Sequence, residues 1–390
     1  MPASDIDLWA RRVMEAHWNE DQGFTVPDHD RYPWMWLWDS CFHSIVWAAL
    51  GVEERARREL AAVFAMATPS GFVPHMNYGT DGLRHRRFWG VSGSSTITQP
   101  PMYGHALAVL AGAGIDVEEL AKPVTAALHH LFDTRATPCG LLQIVHPWEN
   151  GTDDSPRWER WQTRPFDGAA WWATKGALVD ALVLDGREAV GSNAFAVCPA
   201  GWNALVAFNA AEAAAVTGDR GLADRAKALA GSLDQGCWDR RLGTWVDVDP
   251  VGTPTSRVRT LDGLLGVLVT TDTSRVERVL DSVVDATHYG TPFGPSGVHP
   301  AEPTYDPNVY WRGGAWPPLD YLLRTAADRR GHPAHAAALD RSLAEGARQS
   351  GLAEYRHPEL GSGLGARPHA WACLAVVPRA MSSPNCRLPI

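Results

Sequence analysis

The sequence predicts an all-α chain closed into a toroid of helical hairpins, an (α/α)6 barrel with long loops at one end. Helix-compatible stretches of roughly ten to sixteen residues alternate with loops about a dozen times, the number such a ring requires. Long strand runs are missing, so the pattern is not that of a parallel-sheet enzyme. Polar and aromatic residues gather in five loops, 29–40, 72–79, 146–161, 305–316 and 354–371, as expected if one end of the ring carries a site. No Pro/Gly/Ser linker or shift in composition divides the chain, so residues 1–390 are read as one domain.

Taken in order, residues 5–18 have the spacing of an amphipathic helix, with Ile6, Trp9 and Val13 near one face. Pro33 makes 28–39 an extended entry to a helix from about Ser40 to Leu50, and Trp34, Trp36 and Trp38 alternate along it. Asp39 stands where an N-cap belongs; its other reading is a carboxylate that holds sugar hydroxyls. Helices follow from Glu53 to Met66, after Tyr103 to about Ala111, and from Val117 to Phe132. The next are expected at Gly168–Leu184, from about Asn203 to Val216, and at Leu222–Leu233. Gly243–Asp249 alternates like a short strand or hairpin arm. Leu261–Leu268, Ser274–Val284, Pro317–Ala327, His335–Gln349 and Pro368–Val376 complete the helical series.

Composition narrows the function. The chain has 390 residues, 45% hydrophobic, enough to bury a large core. A net charge of −9 without a Lys/Arg run excludes a nucleic-acid-binding surface. No apolar run reaches membrane-spanning length, and Met1–Asp7 has neither the basic nor the apolar region of a signal peptide. Six cysteines (Cys41, Cys139, Cys198, Cys237, Cys373, Cys386) lack metal-site spacing and read as free thiols in a cytoplasmic protein that needs no metal or cofactor. Eighteen tryptophans against ten phenylalanines exceed what a core needs and suggest a ring-lined pocket. The oligomeric state has no signature.

The stretch His146–Trp161 (HPWENGTDDSPRWERW) concentrates the chemistry. Gly151 and Pro156 break helical and strand periodicity, yet the segment is too aromatic for an ordinary solvated loop. Flat rings stack on the C–H faces of a pyranose, while carboxylates and arginines take its hydroxyls and protonate a glycosidic oxygen. A small-molecule sugar is therefore the expected partner. Further candidates lie in loops with the same mixture: Tyr32, Trp36, Trp38, Asp39, His75, Tyr78, Gln99, Tyr310, Trp311, Arg312 and Trp371, besides Trp148 and Arg157. An inverting glycosidase needs two carboxyl groups roughly 6.5–9.5 Å apart, one acid and one base. Asp153 or Asp154 with Glu354 could supply them, and by residue type Glu149, Glu159 and Glu359 compete.

The set Trp38-Asp39, Glu149–Trp158, Tyr310-Trp311-Arg312-Gly313 and Glu354-Tyr355 through Gly361-Ser362-Gly363 resembles glycoside hydrolase family 63, especially its bacterial mannosylglycerate and glucosylglycerate hydrolases. The second motif is also similar to the trehalase pattern Glu-Ser-Gly-x-Asp-x-Ser-x-Arg-Trp. The resemblance spans about residues 24–375 and implies an (α/α)6 barrel, inversion at the anomeric carbon and no metal. It implies Asp153 as general acid, Glu354 as general base, and sugar-binding roles for Trp38, Asp39 and the Trp311-Arg312-Gly313 segment. Gln99, Trp148 and Trp371 are similar to pocket-lining positions. The acid role requires a raised pKa at Asp153 from burial against Trp148 or Trp158, and the base role a wetter, hydrogen-bonded setting for Glu354. Gly313-Gly314-Ala315-Trp316 departs from the family's Gly-Pro-Val-Trp, and Arg356-His357 stand where a second aromatic is usual, so the leaving-group side differs. Arg86, Arg87, Arg157 and Arg356 are the candidate partners of a glycerate carboxylate. The competing expectations are a trehalase-like α-glucosidase with another aglycone, a sugar epimerase or isomerase using His75, His299, His357 and His369, and a sugar-binding protein without turnover.

Overall fold

The computed structural model describes residues 5–377; Cys386 and the first residues of the amino-terminal stretch lie outside them. The α-helices are α1 (Asp5–His17), α2 (Leu37–Ala49), α3 (Glu53–Val63), the short α4 (Arg86–Trp89), α5 (Tyr103–Gly112), α6 (Glu118–Thr134), α7 (Gly168–Asp180), α8 (Ala200–Thr217), α9 (Arg220–Gly236), α10 (Thr273–Val284), α11 (Pro317–Arg329) and α12 (Pro333–Ser350). Longer 3-10 helices occupy Asp262–Leu268 and Ala370–Val376, and two single turns, Pro147–Asn150 and Pro156–Trp158, lie in the central loop.

Hydrophobicity sorts these into two layers. α2, α5, α8, α11 and both longer 3-10 helices are buried over most of their circumference, as expected of elements enclosed on all sides. They pack in a cycle: α2 on α5, α5 on α8, α8 on 262–268, that turn on α11, α11 on 370–376, and 370–376 back on α2. A second set bearing one apolar face covers them, with α3 on α2, α6 on α5 and α8, α9 on α8, α12 on α11 and α1 on 370–376. α10, whose buried Val276, Val279, Leu280 and Val283 recur at helical spacing, packs against α12 and the 262–268 turn. The apolar core runs continuously through both layers.

Several boundaries differ from the sequence expectation. The helix expected over 168–184 ends at Asp180, and Leu182–Asp185 pairs antiparallel with Glu188–Ser192. Gly186-Arg187 is the two-residue turn of that hairpin, with Gly186 at φ +59°, and such a glycine turn stops a helix that apolar spacing alone would extend. The helices expected at 261–268 and 368–376 are the tighter 3-10 form. Strand is found at Thr244–Trp245 and Asp247–Val248, within the expected 243–249 run. Asp39 is not an N-cap: Trp36 holds that position without a side-chain cap, and Asp39 is buried inside the first turn of α2. Among the described residues, strands form only two-stranded ladders; two of them, Met35–Trp36 with Met76–Asn77 and Tyr355–Arg356 with Gly363–Leu364, carry or adjoin cavity residues.

Candidate active site

A cavity of about 570 Å³ opens where the five aromatic loops meet. Asp153, Asp154 and Glu354 line it together with Tyr32, Trp36, Trp38, Asp39, His75, Tyr78, Gln99, Trp148, Tyr310 and Trp371. Each loop thus delivers at least one of the residues expected from sequence.

The Asn150–Trp158 segment is fixed through its backbone. Three successive carbonyls are occupied: Thr152 O accepts Trp158 Nε1 at 3.0 Å, Asp153 O accepts Trp171 Nε1 at 2.9 Å, and Asp154 O accepts Arg312 at 3.2 Å. Upstream, buried Glu149 takes both terminal nitrogens of Arg135 at 2.9 and 3.1 Å and the backbone N–H groups of Thr98 and Val145. Glu149 is therefore a structural anchor rather than a competing acid. Glu159 pairs with Arg164 and Glu359 is exposed, both outside the cavity wall. At Gly151 a Cβ would stand 2.8 Å from the Trp38 ring, so only glycine lets that ring lie on the loop.

The Asp153 carboxyl is raised to about 7, chiefly by burial, with the Lys175 ammonium opposing and the Asp154 and Glu354 charges adding to the rise. Asp154 itself is paired, its Oδ1 2.7 Å from Lys175 Nζ. Glu354 is not in the wetter setting expected, being 1% exposed, but it is fully held. Oε1 accepts the hydroxyls of Tyr310 at 2.8 Å and Tyr32 at 3.0 Å, and Oε2 accepts Ala366 N–H at 2.9 Å. Burial leaves its pKa raised, although these donors and Arg31 pull it back. Gly365 (φ +75°) is required beside it, since a Cβ there would lie 2.3 Å from Oε2. Asp39, buried near Glu354 and Asp153, is held well above the usual carboxylate range by desolvation and by those charges.

Three expected sugar ligands are placed elsewhere. Arg157 is buried against Asp262 at 2.8 Å and Asp247 at 3.4 Å, and it donates to Thr260, so it ties the loop to the 247–262 segment. Trp311, with φ +57°, lies face to face on Trp316 at 3.5 Å, and Trp316 stacks in turn on Tyr355 at 4.5 Å. Arg312 binds the loop carbonyl and Gln162 and lies over Phe166. All three support the wall from behind. Arg356 is likewise committed, to buried Asp320, and Arg86 and Arg87 lie off the wall. The cations at the wall are Arg31 and Lys175, neither of which sequence reasoning singled out. Phe88, Trp89 and Trp172 were also missed as wall residues; a Trp-Trp pair with Lys175 three residues on was the available signal for the α7 contribution. Of the four histidines considered, only His75 and His369 reach the cavity, and burial holds both below the usual histidine range. Among the described residues, no three His, Cys, Asp or Glu side chains are grouped to hold a metal ion, and no helix is long and apolar enough to cross a membrane.

A ring-walled cavity that sets one carboxyl near neutrality and holds another by three donors is the site of a glycoside hydrolase. Comparison with known proteins agrees. The family model described as the mannosylglycerate hydrolase MGH1-like glycoside hydrolase domain matches residues 32–372, and the chain belongs to this family, within glycoside hydrolase family 63. A mannosylglycerate hydrolase of Thermus thermophilus is 26% identical over 91% of this chain and 96% of its own length. A glucosylglycerate hydrolase of Mycolicibacterium hassiacum is 25% identical over 89% and 91%. The crystal structure of a GH63 mannosylglycerate hydrolase from Thermus thermophilus in complex with glucose superposes with a TM-score of 0.81 at 26% identity, covering 96% of this chain and 99% of that one.

Proposed function

We propose that this protein is an inverting α-glycosidase that hydrolyses a small α-glucoside or α-mannoside, glucosylglycerate or mannosylglycerate foremost, with Asp153 as general acid and Glu354 as general base. The observation that carries the reading is the contrast between two carboxyl groups lining one cavity. Asp153, at about 7, keeps a proton to give to the departing glycosidic oxygen at neutral pH. Glu354 accepts three hydrogen bonds that favour its anion, and a carboxylate has acceptor capacity left for a water. That water attacks the anomeric carbon from the face opposite the leaving group and passes a proton to Glu354; the C–O bond breaks, and its oxygen leaves with the proton of Asp153. Trp36, Trp38, Trp148 and Trp371 supply ring faces to the substrate, and Asp39, Gln99, Tyr32, Tyr78, Tyr310 and His75 supply polar groups.

The cycle of six buried elements with a covering layer is read as an (α/α)6 toroid forming one domain. Five unpaired cysteines among the described residues support a reducing, cytoplasmic location. Relatives named for mannosylglycerate and glucosylglycerate support the substrate assignment. Asp153→Asn and Glu354→Gln test it: each is expected to lower kcat on the glycerate conjugates by roughly 10²–10⁴-fold with the fold intact. Undiminished turnover in either variant would remove that carboxylate from the mechanism.

A further inference from the structure

Beyond Trp148, the cavity mouth carries two further rings, Trp172 and Phe88, that the hydrolysis of a glycerate conjugate does not use. Trp172 on α7 is 64% exposed and Phe88 on α4 is 40% exposed, and both line the opening. Trp148 lies between them, its ring centroid 5.6 Å from Trp172 and 6.1 Å from Phe88. Contiguous exposed rings at the lip of a cavity mark a ligand surface, unlike single scattered ones.

Its position relative to the acid is fixed by two contacts. Trp171, next to Trp172, donates to the Asp153 carbonyl at 2.9 Å, and Lys175 on the same helix pairs with Asp154 at 2.7 Å. The surface therefore lies on the side of the general acid, where the leaving group departs. Lys175 Nζ stands 5.2 Å from the Trp172 ring centroid and 5.8 Å from that of Trp148, bracing both rings. Its charge is matched by Asp154, so the rings offer apolar faces to a neutral ligand and no free cation to an anion there.

We propose that Trp172, Phe88 and Trp148 form an outer carbohydrate subsite on the leaving-group side, which stacks a pyranose of a glycoside longer than a glycosylglycerate. The proposal rests on Asp153 being the acid of this cavity. The test compares kcat/KM for α-linked disaccharides and trisaccharides of glucose and mannose in the wild type, Trp172→Ala and Trp172→Phe. The expected trisaccharide-to-disaccharide ratio is about tenfold in the wild type, the scale of one ring stack, close to one in Trp172→Ala, and retained in Trp172→Phe. A wild-type ratio near one, or a ratio that survives Trp172→Ala, overturns the subsite. Binding without turnover is read separately, by tryptophan fluorescence of Asp153→Asn titrated with maltotriose and mannotriose. Quenching by either sugar that Asp153→Asn/Trp172→Ala loses supports the subsite even if the acid assignment fails. Quenching by neither, or quenching unchanged in the double variant, overturns it.

Discussion

Asp153 and Asp154 are adjacent and chemically alike, yet their surroundings separate them. Asp154 is matched by Lys175, whereas Asp153 faces desolvation, Asp154 and Glu354, with Lys175 as the opposing charge. Since the acid must be protonated, kcat/KM is expected to fall as pH rises through about 7. Asp154→Asn removes a charge that raises Asp153, so this alkaline limb should move to lower pH; Lys175→Met removes the charge that lowers it, so the limb should move up. A kcat/KM–pH profile decides, and a limb unmoved in both variants would detach it from Asp153. The candidate acid and base were legible because both belong to contiguous motifs with a fixed order of residue types. Arg157 sits in the same motif but lies off the cavity wall. Its partners Asp247 and Asp262 are remote in sequence, and nothing local distinguishes an arginine that binds sugar from one that ties two loops together. Trp172 and Lys175 were missed for a related reason: helical spacing does not reveal which face of α7 meets a cavity.

Among elements, the 146–161 loop shows how an aperiodic segment becomes a rigid one. Its lack of helix or strand was readable from Gly151 and Pro156, but its anchor, the Arg135–Glu149 pair, was not. Both side chains are almost fully buried, so Arg135→Met would leave Glu149 charged without a counter-ion. The expected cost is about 3–5 kcal/mol of stability, read by urea unfolding. A loss below about 1 kcal/mol would show that the backbone donors of Thr98 and Val145 alone sustain the carboxylate. The 182–192 hairpin was hidden by the opposite effect. Leu182-Val183-Leu184 continues the apolar pattern of α7, and only the Gly186-Arg187 turn that follows marks the change.

At the scale of the whole molecule, the alternation of helix and loop made the two-layer architecture legible, because each covering helix must bury one face and each inner one nearly all of itself. Where the ring closes was not legible: the carboxyl-terminal 370–376 turn packs on both α1 and α2, joining the ends of the described chain. The proposed single toroid, with its ends packed together, would have no independent half, so thermal or urea unfolding followed by far-UV circular dichroism and by tryptophan fluorescence should give coincident transitions. Separate transitions would divide the chain into more than one unit. In the proposed mechanism Asp153 and Glu354 act from opposite faces of the sugar, one as acid and the other through water. Proton NMR of the sugar first released from glucosylglycerate or mannosylglycerate tests it most directly. The β-anomer should appear first and mutarotate afterwards; initial release of the α-anomer would mean retention and would contradict Glu354 as a water-activating base.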